Sequence, residues 1–166
     1  MRLFLALWPD AAVRQRLADA QSAWAWPPQA VPVPLERLHL TLHYLGELGD
    51  DAVIELRDRL PALPAPFELA FGQHALWPHG IAVLEPLAVP PGLVALHAAL
   101  SQTLHAIGLR TDERAFRPHV TLARHAQATP LPADGPRCAW PVRGYALVHS
   151  VSGPPLRYDV LQRVGS

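Results

Sequence analysis

Two short segments of the chain repeat one pattern of side chains able to move protons. Leu38-His39-Leu40-Thr41-Leu42 and Pro118-His119-Val120-Thr121-Leu122 each read histidine, apolar, threonine, apolar. The histidines are 119 − 39 = 80 residues apart in a chain of 166, about half its length, as an ancient duplication would leave them. With nine histidines and five threonines, His-x-Thr is expected by chance roughly 0.3 times, so composition does not account for two copies. Each copy lies in an alternating, strand-like run. Residues i and i+2 of a strand share a face, so His39 and Thr41 point one way while Leu38, Leu40 and Leu42 point the other. The same holds for His119 and Thr121 against Val120 and Leu122. A phosphate between two such pairs would meet an imidazole on each side. Displacement at phosphorus sets the attacking and leaving oxygens roughly in line, which asks for a base and an acid on opposite sides. Imidazole titrates near neutrality and serves in either role. Threonine hydroxyls can donate to the non-bridging oxygens, where charge accumulates. The plainer alternative is a pair of half-buried strand histidines with ordinary hydrogen bonds.

Other residues near the motifs are weaker candidates. Arg124 follows the second motif and could bind a phosphate or a base, or lie free on the surface. His43 is expected on the same strand face as His39 and Thr41, lining the groove or supporting His39. A pair such as His39 and His43 could ligate zinc, but the alternating pattern excludes the helical i, i+4 arrangement. No Asp, Glu or Cys lies within the strand-like run 38–45 itself, so no metal is expected. Tyr44, Trp77 and Phe116 could stack on a base, although core packing is the ordinary fate of aromatics. His74, His79, His97, His105 and His149 are expected to be structural or exposed, and Ser150 to lie at most beside the groove. No glycine-rich phosphate loop is present, and no cofactor is expected.

These residues need elements to hold them. RLFLALW (2–8) reads as a buried strand, and Pro9-Asp10 as the start of a helix with Val13, Leu17 and Ala20 at helical spacing. AWPPQAVPVP (25–34) is a proline-rich connection that cannot be helix interior. Strands are expected at 38–45, 67–77, 80–86, 117–124, 144–151 and 156–164, and helices at 51–60 and 92–109. Gly108 stands where a helix C-terminal cap belongs, and Ser152-Gly153-Pro154-Pro155 where a hairpin turns. A loop carrying Pro130, Pro132, Gly135 and Pro136 separates two of the strands. Ten elements with more strands than a doubly wound sheet uses point to an α+β fold. The size fits one domain, or two small lobes around one core, over residues 1–166.

Composition narrows the setting. Half of the residues are hydrophobic and 17% are charged, which suits a folded protein and argues against disorder. No apolar run reaches the length of a membrane span, and MRLFLALWPD is too short for the apolar region of a signal peptide. One cysteine, Cys138, cannot close an internal disulfide, and a cytoplasmic location is expected. The formal net charge is zero, so the surface as a whole does not attract a polyanion. A small site focused on one phosphate remains. All 14 basic residues are arginine, which excludes any lysine-based covalent chemistry.

With these residues in view, the chain resembles the two-histidine phosphoesterase superfamily, and within it the RNA 2′,3′-cyclic phosphodiesterases, also called 2′-5′ RNA ligase-like proteins. The resemblance runs from RLFLALWPD through VPLERLHLTLHYLGEL and FRPHVTLAR to the closing LVHS and YDVL, with both His-x-Thr motifs intact. It implies two pseudo-symmetric lobes of antiparallel-rich sheet with flanking helices around a central groove. It implies His39 as proton donor, His119 as proton acceptor, and Thr41 and Thr121 as phosphate ligands. The implied substrates are RNA ends or nucleotides carrying a 2′,3′-cyclic phosphate, opened to a 2′-phosphate without a metal. The resemblance also implies a reversible 2′-5′ RNA ligase activity at the same site, with a 5′ hydroxyl in place of water. A monomer is expected. The alternative within the same fold is a module that binds a nucleotide or RNA end without turning it over.

Overall fold

The computed structural model describes residues 1–133 and 137–165. Strand β1 (Arg2–Leu7) is apolar on both faces and is covered on both. Leu3, Leu5 and Leu7 enter the main core, while Phe4 and Ala6 join a smaller cluster with Ala146 and Val148. Asp10 then caps helix α1 (Ala11–Ser22), its carboxylate accepting the Val13 N–H at 2.8 Å. The proline-rich connection contains a two-residue strand β2 (Val31–Pro32) and a short 3-10 turn (Leu35–Arg37). Strand β3 (Leu40–Glu47) carries the first motif, followed by helix α2 (Asp50–Arg59) and the hairpin β4 (Phe67–Trp77) and β5 (Ile81–Pro86). Helix α3 (Pro91–Ala106) buries Leu93, Leu96, Leu100 and Leu104. It ends as the glycine predicted: Gly108 has φ 76°, the Leu109 N–H returns to the Leu104 carbonyl and the Gly108 N–H to that of His105. Strands β6 (Val120–Arg124), β7 (Cys138–Val142), β8 (Gly144–Val151) and β9 (Arg157–Gly165) complete the order.

All nine strands form one sheet, in the order β7-β4-β5-β6-β3-β1-β8-β9 with β2 also on β6, and every pairing among the described residues is antiparallel. The expected lobes are therefore two halves of one sheet. Along that path four strands lie on each side of a seam between β6 and β3, with β2 the ninth, and the β6–β3 seam is a single pairing, Leu40 with Val120. The α+β class agrees with the sequence. Two strands do not appear in the sequence pattern. β7 contains Pro141, but as a terminal strand it has a free edge on which a missing N–H costs nothing. β2 is only Val31–Pro32, inside a segment whose prolines read as irregular. Of the proline-bearing loop, Gly135 and Pro136 lie outside the described residues.

Candidate active site

The seam sets the site. Leu40 and Val120 are paired and both fully buried, and Leu38 and Leu122 are buried on the same side. Counting out one residue from that antiparallel pair brings Thr121 level with His39 and His119 level with Thr41. The odd-numbered residues thus share the other face, with each histidine beside the opposite motif's threonine. All four line one groove of about 780 Å3, together with Arg124, His43 and Ser150.

The two imidazoles are held alike. His39 Nδ1 donates to the Arg37 carbonyl at 2.6 Å, and His119 Nδ1 donates to the Arg117 carbonyl at 2.7 Å. Each bond reaches two residues back along the chain. It fixes the tautomer of the neutral ring and leaves Nε2 unprotonated toward the groove. In His39 that nitrogen accepts the Thr41 hydroxyl at 3.0 Å. Burial pushes the His39 pKa down to about 4, against the Arg37 carbonyl, which favours the cation; His119, Arg14 and Arg124 add positive charge that lowers it further. His119 is also lowered, again chiefly by burial, but the Arg117 carbonyl and the Glu85 carboxylate both pull the other way. In the free protein near neutral pH both rings are therefore uncharged.

Aromatic walls complete the groove. Phe4, Trp8 and Tyr158 surround the His39 ring, with centroids 4.9, 5.7 and 5.5 Å away. Trp77 lies 4.2 Å from His119. The arginines whose carbonyls hold the histidines lie over these walls: Arg117 is 4.4 Å from the Trp77 ring centre and Arg37 is 5.9 Å from that of Tyr158. The repeat is thus longer than His-x-Thr; Arg37-Leu38-His39 and Arg117-Pro118-His119 both read Arg-x-His, a signal available in the sequence.

His43 does not share the face of His39 and Thr41. The pairing of β1 with β3 shifts between Ala6↔Thr41 and Leu5↔His43, so Leu42 is an extra residue, a β-bulge. Past the bulge, His43 lies beside Leu5 on the α3 side. It is 5% exposed, its Nε2 lies 3.1 Å from the His97 carbonyl and 3.2 Å from Ser101 Oγ, and its ring stacks on His97. His97 in turn stacks on Phe116, with centroids 4.0 Å apart. His43, His97 and Phe116 form one end of the groove wall, so His97, expected to be structural or exposed, is a stacked ring that also lines the groove. Trp77 and Tyr44 also line the groove rather than the core, Tyr44 with 59% of its surface exposed. Among the described residues, no three His, Cys, Asp or Glu side chains converge as ligands for one metal ion.

The family model described as the 2′-5′ RNA ligase superfamily matches residues 8–149, a span holding both motifs. The chain belongs to the 2′-5′ RNA ligase superfamily. Among members of this superfamily it is 32% identical to the RNA 2′,3′-cyclic phosphodiesterase of Thermus thermophilus, over 98% of this chain and 89% of that protein. It is 29% identical to the Escherichia coli protein of the same name, over 98% of this chain and 94% of that one. The crystal structure of Escherichia coli LigT complexed with 3′-AMP superposes with a TM-score of 0.88 at 28% identity, covering 99% of this chain and 97% of that one. The superfamily thus accounts for the shared fold over nearly the whole length. No helix among the described residues is long and apolar enough to cross a membrane.

Proposed function

We propose that this protein hydrolyses the terminal 2′,3′-cyclic phosphate of an RNA or nucleotide to a 2′-phosphate, with His39 as general acid and His119 as general base. The observation that carries this reading is the matched fixation of two imidazoles. Each donates Nδ1–H to a carbonyl two residues back and presents Nε2 to the same groove. The names of the relatives agree with it. In the productive state His119 is neutral and His39 protonated. Water gives a proton to His119 Nε2 while its oxygen forms a bond to phosphorus. The P–O3′ bond breaks as His39 Nε2–H protonates the departing O3′. The ring protons left behind exchange with solvent, and no metal or cofactor takes part.

Thr41 has two tasks in this scheme. Its hydroxyl satisfies neutral His39 in the free protein. Once His39 carries a proton on Nε2, that hydroxyl is released to donate to a non-bridging phosphate oxygen, as Thr121 does from the other motif. Arg124, at the end of β6 and exposed on the groove, supplies a cation for the phosphate. His43 serves the groove wall through His97 rather than touching the phosphate. With a 5′ hydroxyl in place of water the same steps join RNA ends through a 2′-5′ linkage, and run backward they cleave it. The reading places the protein in the cytoplasm, acting as a monomer on RNA ends or nucleotides. Incubation with 2′,3′-cyclic nucleotides and cyclic-phosphate-ended RNA in chelator tests it: a 2′-phosphate product is expected, and binding without turnover over hours would favour a non-catalytic module.

A further inference from the structure

The two histidine stations are built alike but charged differently: a carboxylate bears on His119. Glu85, on β5, has a side chain only 14% exposed, and a single oxygen of it accepts two hydrogen bonds. The Trp77 indole N–H donates to Oε1 at 2.7 Å, and an Arg117 Nη2–H donates to the same atom at 2.7 Å. Trp77 packs on the His119 ring, and the Arg117 carbonyl holds its Nδ1–H. Glu85 therefore grips both groups that fix His119, and places a negative charge near that ring. The charges bearing on His119 are Glu85 from β5, Arg117 from its own segment and Arg124 from the end of β6, with His39 across the seam. Those bearing on His39 are Arg14 from α1, Arg124 and His119; among the described residues no carboxylate bears on it. Among the described residues Arg37 has no counterpart of Glu85, and its Nε is buried without a hydrogen-bond partner.

We propose that Glu85 is a positioning residue that breaks the symmetry of the two motifs: it clamps Trp77 and Arg117 around His119, and its charge favours His119 over His39 as the group that takes the proton. The assignment of direction to the reaction then follows from the fold. The duplicated motifs supply two equivalent imidazoles, and one acid on one side selects which is the base. The proposal rests on the acid–base reading above.

Two variants separate the clamp from the charge. Glu85→Gln keeps an acceptor oxygen for Trp77 and Arg117 but removes the charge; Glu85→Ala removes both. The readouts are the NMR titration of the His119 Cε1–H resonance, the Trp77 indole N–H resonance, and kcat and KM on a 2′,3′-cyclic nucleotide. In Glu85→Gln the His119 titration should fall while that of His39 does not, with the indole resonance retained. In Glu85→Ala the indole resonance should also move, and kcat should drop roughly 10-fold with KM little changed. A His119 titration that stays at its wild-type midpoint in both variants overturns the proposal, as does a loss of thermal stability with no change in titration or kcat. An inactive wild-type protein would refute the phosphodiesterase reading, and the titrations would still decide the role of Glu85.

Discussion

A bound anion should restore the proton that burial takes from His39. In the free protein that ring titrates at about 4, because its cation is poorly solvated and three positive groups bear on it. Against an ordinary histidine near 6.5 the cost of the charged form is roughly 3 kcal/mol. At pH 6 only about 1% of the rings then carry a proton. A single negative charge at about 4 Å contributes ~4 kcal/mol at an effective dielectric constant near 20, or about 3 pH units. One phosphate-sized anion between the motifs therefore lifts His39 to about 7 and turns it into a working acid. Sulfate is the cleanest probe, since its own charge does not change between pH 5 and 8. The assay is an NMR titration of the His39 Cε1–H resonance with sulfate and with chloride at matched ionic strength. A midpoint near 4 in chloride that rises by two units or more in sulfate is expected. A free-protein midpoint near 6.5, or a midpoint that sulfate does not move while other groove resonances report binding, would refute the reasoning.

Thr41→Val removes the hydroxyl that satisfies neutral His39, so the His39 titration should rise in the free protein even as kcat falls, checked by the same NMR titration and by steady-state kinetics. Stability should depend on acid in a defined window. His39 and His97 are lowered to about 4 and His43, His74 and His119 are lowered too, so the unfolded chain binds more protons than the folded one below its own histidine range. The stabilisation is complete above about pH 6.5 and is lost as pH falls toward 4, which thermal melts across that range will show. Gly80→Ala should destabilise the protein by more than ~1 kcal/mol, read by denaturant unfolding, because φ is +71° there and the added carbon would lie 2.8 Å from the Gln127 backbone nitrogen. Asp10→Ala should cost about 1 kcal/mol in the same measurement through loss of the α1 cap.

What the sequence made legible follows the physical range of each signal. Period-two alternation exposed the two motif strands, and the apolar run of β1 was equally plain because it is buried on both faces. The leucine spacing of α3 and its closing glycine are likewise local signals. Alternation also placed His39 with Thr41 and His119 with Thr121, and the fold brings all four to one groove. The same rule failed at His43, because a bulge is a property of how β3 pairs with β1 and leaves no mark in β3 alone. Pro141 concealed β7, since whether a proline is tolerated depends on which edge of the sheet is open. Arg37 and Arg117 were visible as a repeat two residues before each histidine. Glu85 was not, because its partners come from β4 and from the segment before β6, brought together only by folding.

In the proposed reaction both imidazoles act on a single phosphoryl group, one on each side. Hydrolysis of a cyclic-phosphate-ended RNA by the wild-type protein, His39→Ala, His119→Ala and the double variant, all in chelator and with the product isomer identified, tests it most directly. A 2′-phosphate product is predicted, with each single variant slower by about 100-fold or more and the double variant little slower than the worse single one. Turnover near the wild-type rate in either single variant, losses that simply multiply in the double, or a 3′-phosphate product would contradict it.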